Sequence, residues 1–217
     1  EVLQKLRSTY AEFAKDRVAE LDAYGMPRKG DLADRWEARH GIAAAFKSLA
    51  PHLQKDQIDD FFTFLIERGP LGDKDQRVRS EMLDAAIGAI DLHGRALVDK
   101  LMKMFERTLE APDAGSDFGD RVNEAVIVMY GALARHLKPG DAKIPVVIER
   151  LLATLSTPSE TVQYAVAECL PPLVRTCGDK SSKYFDQVMD SLLNSKKYAT
   201  KRGAAYGLSG LIRGRGI

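Results

Sequence analysis

The chain has 217 residues, with 32 Lys and Arg against 31 Asp and Glu, 45% hydrophobic and 29% charged residues. That length can bury a sizeable core, and the composition is too apolar for a disordered chain. A net charge near zero excludes a global field for polyanions, so any electrostatic function must come from local clustering.

The chain opens on Glu1 rather than methionine and shows no signal-peptide pattern, reading as a segment of a longer cytoplasmic protein. Its longest apolar run, Ala125 to Ala134, is far short of the roughly 20 residues of a membrane span. Helical periodicity dominates, and no stretch alternates with period two between turn residues, so the fold class is all-α. In the first unit a helix centres on Gly41, with Phe46 and Leu49 following, and a second helix covers about 55–67. The next unit centres on Met82, with Ile87 and Ile90, and its second helix is expected at about 95–109. Ala125 with Tyr130 and Leu133 marks the third unit, whose second helix covers about 142–155 after a Pro139-Gly140 turn. Ala165 with Leu170 and Leu173 marks the fourth, with Gly178 expected to end that helix and a partner at about 181–193. Gly203 with Leu208 and Leu211 opens a fifth.

These anchors recur at steps of about 40 residues with two helices per step, the pattern of HEAT and armadillo arrays. The period has a cause in burial. A two-helix hairpin cannot cover its own apolar face, so neighbours stack and share one core. The sequence therefore predicts one HEAT-repeat array over 1–217, a right-handed superhelical solenoid. Its repeats lie at about 31–69, 73–110, 117–156, 157–194 and a partial 197–217.

The joint STPSE at 156–160 reads as a capping box, with Thr157 at the N-cap, Pro158 at N1 and Glu160 reaching back. Comparable helix entries are expected at Asp73…Gln76 and at Asp117 to Asp120. Thr157-Pro158 also fits a proline-directed phosphorylation site, but capping explains it with less. Pro171-Pro172 falls inside a helix, where the missing N–H groups predict a bend. The glycines of GLSGLIRGRG at 207–216 fit close helix packing rather than a phosphate loop.

Reaction chemistry is absent from the pattern, and neither an enzyme nor a cofactor is expected. His40, His52, His93 and His136 stand outside any metal-binding spacing and read as helix-end or surface imidazoles. Cys169 and Cys177, eight positions apart on one helix, would lie roughly 12 Å apart along its axis, too far for a disulfide. The acidic clusters Asp56/Asp59/Asp60 and Asp113/Asp117/Asp120 lack a calcium-loop pattern and suit helix N-termini.

One local field stands out. From position 196 onward the chain carries Lys196, Lys197, Lys201, Arg202, Arg213 and Arg215 and no acid, with Tyr198 and Tyr206 interleaved. Such a tract suits contact with RNA phosphates and stacking on bases. A solvated ridge whose acidic partners lie in a following helix would look the same. Trp36 is a further exposed-aromatic candidate, or equally a ring buried at the start of its helix.

The segments LLATLSTPSETVQYAVAECLPPLV and KKYATKRGAAYGLSGLIRGRGI resemble consecutive HEAT units of the large general-control translational activator of eukaryotes. The resemblance is sharpest over 151–217 and extends to the HEAT domain of fungal elongation factor three. It implies a non-enzymatic scaffold that associates with the ribosome, through protein and ribosomal RNA, and with an ABC-type partner protein. It further implies indirect activation of the kinase of initiation factor two alpha in amino-acid starvation. No catalytic residue, membrane or small-molecule substrate comes with it. A HEAT adaptor of nuclear transport or phosphatase type is the other binding reading. A HEAT-like DNA glycosylase is the enzymatic one, and it is at odds with a single Trp and near-neutral charge.

Overall fold

A computed structural model describes residues 1–15, 34–67, 69–110, 116–177 and 181–216. Among them are nine α-helices, some 3-10 turns and no strand. They are α1 (Val2–Ala14), α2 (Trp36–Leu49), α3 (Ile58–Glu67), α4 (Gln76–Glu110), α5 (Asp117–Ala134), α6 (Lys143–Thr154), α7 (Glu160–Cys177), α8 (Ser182–Asn194) and α9 (Tyr198–Arg215). The chain divides into two compact units, Glu1–Ala86 and Ile87–Ile217, and the division falls inside α4.

The core of the first unit is aromatic. Phe46 of α2 lies 5.8 Å from Phe61 and 5.2 Å from Phe64 of α3, and Tyr10 of α1 meets Phe64 edge-on at 5.9 Å. Phe46, Phe61 and Phe62 are fully buried, each contributing about 1.5–3 kcal/mol of burial. Within this apolar shell sits a charged hub. The Asp73 carboxylate accepts from Tyr10 Oη at 2.6 Å and from Arg39 Nε and Nη2 at 2.7 and 3.0 Å. Arg39, itself buried, also forks onto Asp34 at 2.6 and 3.0 Å. Asp73 is thus an ion-pair partner joining α1 and α2, and its Oδ1 also accepts from Asp75 N at 2.9 Å just ahead of α4. A bare carboxylate here would be costly, and the guanidinium fork offsets that cost.

In the second unit, α5, α7 and α9 pack side by side, α6 against α5 and α7, and α8 against α9. Val126, Met129, Ile148, Leu151, Leu170 and Leu173 form the dry interior. Polar ties mark the rim. Glu106 of α4 accepts from Tyr130 Oη at 2.8 Å and Lys143 Nζ at 2.6 Å. Lys183 pairs with Glu149 at 2.7 Å, joining α8 to α6. Gly140 takes the left-handed φ of 85° that the Pro139-Gly140 turn predicts.

Two expectations are corrected. The second repeat does not turn near position 94: α4 runs unbroken for 35 residues. Gly94 is buried within it, packed so closely that a Cβ there would come within 2.7 Å of the His136 ring. A lone glycine costs a helix only about 1 kcal/mol, too little to break it against such packing. Secondly, the entry to α7 is not the expected box. Ser159 accepts from Val162 N at 3.4 Å, Thr157 Oγ1 donates to Glu124 of α5, and Glu160 points away to α9. At α5 it is Ser116, ahead of Asp117, whose hydroxyl accepts from Gly119 N at 3.0 Å. The anchor Gly41 faces solvent, with nothing within 4 Å of where its Cβ would stand. The predicted stop at Gly178 and the carboxylate Asp113 lie outside the described residues.

Candidate partner-docking surface

α9 begins after a short polar loop in which Lys197 N donates to Ser195 Oγ at 3.2 Å. Its α7-facing side is glycine-rich, and Gly203 is the tightest point. Any Cβ at 203 would overlap the Leu155 carbonyl oxygen. Only glycine lets α9 come this close to the end of the preceding repeat.

The same contact is fixed by Gln163, wholly buried on α7. Its Nε2 lies within hydrogen-bond distance of the carbonyls of Leu155 at 3.0 Å, Thr157 at 2.6 Å and Ala199 at 2.8 Å, which share its two protons. Its Oε1 accepts from Arg202 Nε at 2.9 Å. Arg202 also donates to Glu160 Oε2 at 3.2 Å and Pro158 O at 2.7 Å. Tyr206 Oη donates to Glu160 Oε1 at 2.7 Å, and that hydrogen bond raises its phenol above the ordinary tyrosine range. Tyr206 meets Tyr164 of α7 edge-on at 6.1 Å. Further along, Arg213 Nη2 donates to Glu168 Oε1 at 2.7 Å and lies 3.5 Å from Ala167 O. Ala167 O is the carbonyl that Pro171 leaves without its usual i+4 donor, so α9 serves a gap that the proline opens in α7. α7 continues through both prolines to Cys177.

The basic tract therefore splits. Arg202, Tyr206 and Arg213 form a polar seam with α7, and Arg215 Nη1 donates to Ser181 Oγ at 3.0 Å. Lys196, Lys197, Tyr198 and Lys201 remain exposed, Tyr198 at 77%. Lys201 Nζ reaches only the Leu193 carbonyl at 3.4 Å, and the Arg202 guanidinium lies 5.8 Å from the Tyr198 ring. The carboxylates that Arg202 and Arg213 meet come from the preceding repeat. Glu160, Gln163 and Glu168 stand 42, 39 and 45 positions before the arginines they meet. Those offsets are one repeat period, and that is the signal by which the seam could have been found.

Elsewhere, half-buried Trp36 opens α2 with the Arg77 guanidinium 3.2 Å from its ring centre. Arg77 is held there by a fork onto Asp75, at 3.0 and 2.7 Å. The Cys169 thiol is buried and pushed up to about 12, and His136, at the end of α5, is held below its ordinary pKa by burial. Among the described residues no cluster of His, Cys, Asp or Glu could hold a metal ion. No helix among them is long and apolar enough to cross a membrane.

Residues 1–135 match the family described as the HEAT repeats of the stalled ribosome sensor GCN1. Over all of this chain, the human protein named stalled ribosome sensor GCN1 is 40% identical, aligned over 8% of its own length. The yeast Saccharomyces cerevisiae protein named eIF-2-alpha kinase activator GCN1 is 37% identical over 99% of this chain, again 8% of its own length. The Arabidopsis thaliana protein ILITYHIA is 42% identical over 84% of this chain and 7% of its length. The chain thus spans about a twelfth of the relatives it matches, with an all-α fold of the HEAT type. It belongs to the GCN1 HEAT-repeat family.

Proposed function

We propose that this chain is a non-enzymatic scaffold segment of a ribosome-associated translational regulator. It offers a docking surface at the N-terminal end of α9, and its whole protein promotes activation of the initiation-factor-two-alpha kinase in amino-acid starvation. One observation carries the docking surface. Tyr198 and Lys201 are exposed on the first turn of a helix whose other side is clamped to α7, and Lys196 and Lys197 are exposed in the short loop that leads into it, where Lys197 N is tied to Ser195 Oγ. Binding then costs little ordering entropy. The names of the human and yeast relatives support a ribosome-facing role in kinase activation. An ABC-type protein is a second partner of the same scaffold, the setting is cytoplasmic, and neither a cofactor nor a small-molecule substrate is involved.

Co-sedimentation with ribosomes across roughly 50–200 mM salt tests the reading, because a lysine-based dock weakens steeply over that range. The chain is expected in the ribosomal pellet at low salt, and Lys196→Glu with Lys197→Glu is expected to release it. Absence from the pellet at every salt concentration overturns the ribosome-facing role. Capture of importin cargo or a phosphatase subunit in its place points to the adaptor reading.

A further inference from the structure

The cations of α9 and its leading loop fall into two sets. Arg202 and Arg213 are spent on α7, each with a carboxylate partner. Lys196 and Lys197 have no carboxylate within ion-pair distance among the described residues, and Lys201 meets only a carbonyl. Amid these three ammonium groups stands Tyr198, the first residue of α9 and, at 77%, the most exposed of the large hydrophobic side chains described. On α9 the exposed residues before Ile212 are Tyr198, Lys201, Ala205 and Ser209, and the one large aliphatic side chain exposed beside them is Leu193 at the end of α8. A protein-binding hot spot would place a cluster of apolar anchors there rather than one leucine. An aromatic ring among unpaired lysines instead suits a polyanion carrying flat, stackable groups.

We propose that the loop after α8 and the first turns of α9 bind unpaired RNA, with a base stacked on Tyr198 and flanking phosphates held by Lys196, Lys197 and Lys201. The proposal rests on the ribosome-docking reading and names the chemistry it engages. Unpaired nucleotides are favoured over a duplex because a paired stack offers no free base face to a projecting ring. The Arg202 guanidinium, fixed by Gln163, Glu160 and Pro158, sits beside the ring and limits its swing. Tyr164, 56% exposed and edge-on to Tyr206, supplies a second aromatic surface on the neighbouring helix.

The test measures fluorescence anisotropy of an oligouridine of ~12 nucleotides, against an RNA duplex of equal length and polyglutamate as competitors. Expected are preference for the single strand, displacement by neither competitor at equal charge, and a log-log salt slope of about 2 for three lysines. Tyr198→Ala should weaken binding about tenfold while Tyr198→Phe, which still stacks, stays near the parent. Both changes are at the surface, and circular dichroism checks that the fold is kept. Binding unchanged by Tyr198→Ala, a preference for duplex, or displacement by polyglutamate overturns the proposal. Ribosome co-sedimentation separates the two readings. A Tyr198→Ala chain that pellets with ribosomes as the parent does leaves docking intact and removes the RNA contact, whereas a parent that never pellets removes the docking.

Discussion

Two glycines that the repeat pattern treats alike have opposite structural roles. Gly41 lies mid-helix on the exposed side of α2, with nothing within 4 Å of where a Cβ would stand, and φ in the ordinary range. Gly41→Ala removes backbone entropy from the unfolded chain and should stabilise by about 0.5–1 kcal/mol. Gly203 has a backbone carbonyl where its Cβ would go, and a carbonyl cannot rotate away as a side chain can. Gly203→Ala should cost about 3 kcal/mol, the upper end for overpacking, and expose the α9 amides to exchange. Urea unfolding of the two variants checks the contrast, and equal effects would contradict the packing at α9. Asp75 gives a second residue-level expectation. Its fork from Arg77 lowers its carboxyl to about 2, against about 3.9 in an unfolded chain. The folded state holds fewer protons there, so the stabilisation is fully present above about pH 4 and fades as pH falls toward 2. Asp75→Asn should flatten the acid limb of the stability curve over that window and loosen Arg77 from Trp36, which tryptophan fluorescence reports.

At the scale of elements, the helices legible in the sequence were those with a wide apolar face between turn residues: α2, α3, α5, α6, α7, α8 and α9. α1 shares that face through Leu3, Leu6, Tyr10 and Phe13, but it precedes the first complete repeat and so escapes a search for a 40-residue period. The separate second helix expected at about 95–109 is instead the continuation of α4. Gly94, within it, packs against the His136 ring just beyond α5, a contact that local sequence does not display. Amide exchange discriminates directly. If α4 is continuous, the amides of residues 92–98 should be protected like those at 84–90. Fast exchange confined to 92–98 would restore a hairpin. The seam of α9 was half legible. Its lysines, arginines and tyrosines stand out as a run without acids, but which of them face α7 depends on Glu160, Gln163 and Glu168, a repeat away in sequence. The motifs that identify the family were sharpest at 151–217, whereas the family match lies at 1–135 and the relatives align across the whole chain. Distinctive residues and the family's shared pattern are not the same positions.

At the scale of the whole molecule, each compact unit holds, among the described residues, a buried polar knot inside an apolar core. In the first it is Asp73 with Arg39 and Tyr10; in the second it is Gln163 with three carbonyls and Arg202. Both knots tie helices distant in sequence, and a knot that fails leaves buried groups without partners rather than a mere loss of contact. In repeat architectures, stability is close to a sum of local and nearest-neighbour terms. Damage to one knot should therefore stay near it. Asp73→Ala leaves the Arg39 guanidinium with Asp34 alone and should cost about 3–5 kcal/mol, seen as lost exchange protection in α1 and α2. Gln163→Leu removes the donors to Leu155, Thr157 and Ala199 and should cost about 2–4 kcal/mol, concentrated in α7 and α9. Under mildly destabilising urea, the Asp73 variant should keep parent-like protection in α7 and α9, and the Gln163 variant should keep it in α1 and α2. Uniform loss across the chain in both variants would mean a single cooperative block, and the additive description of its repeats would not hold.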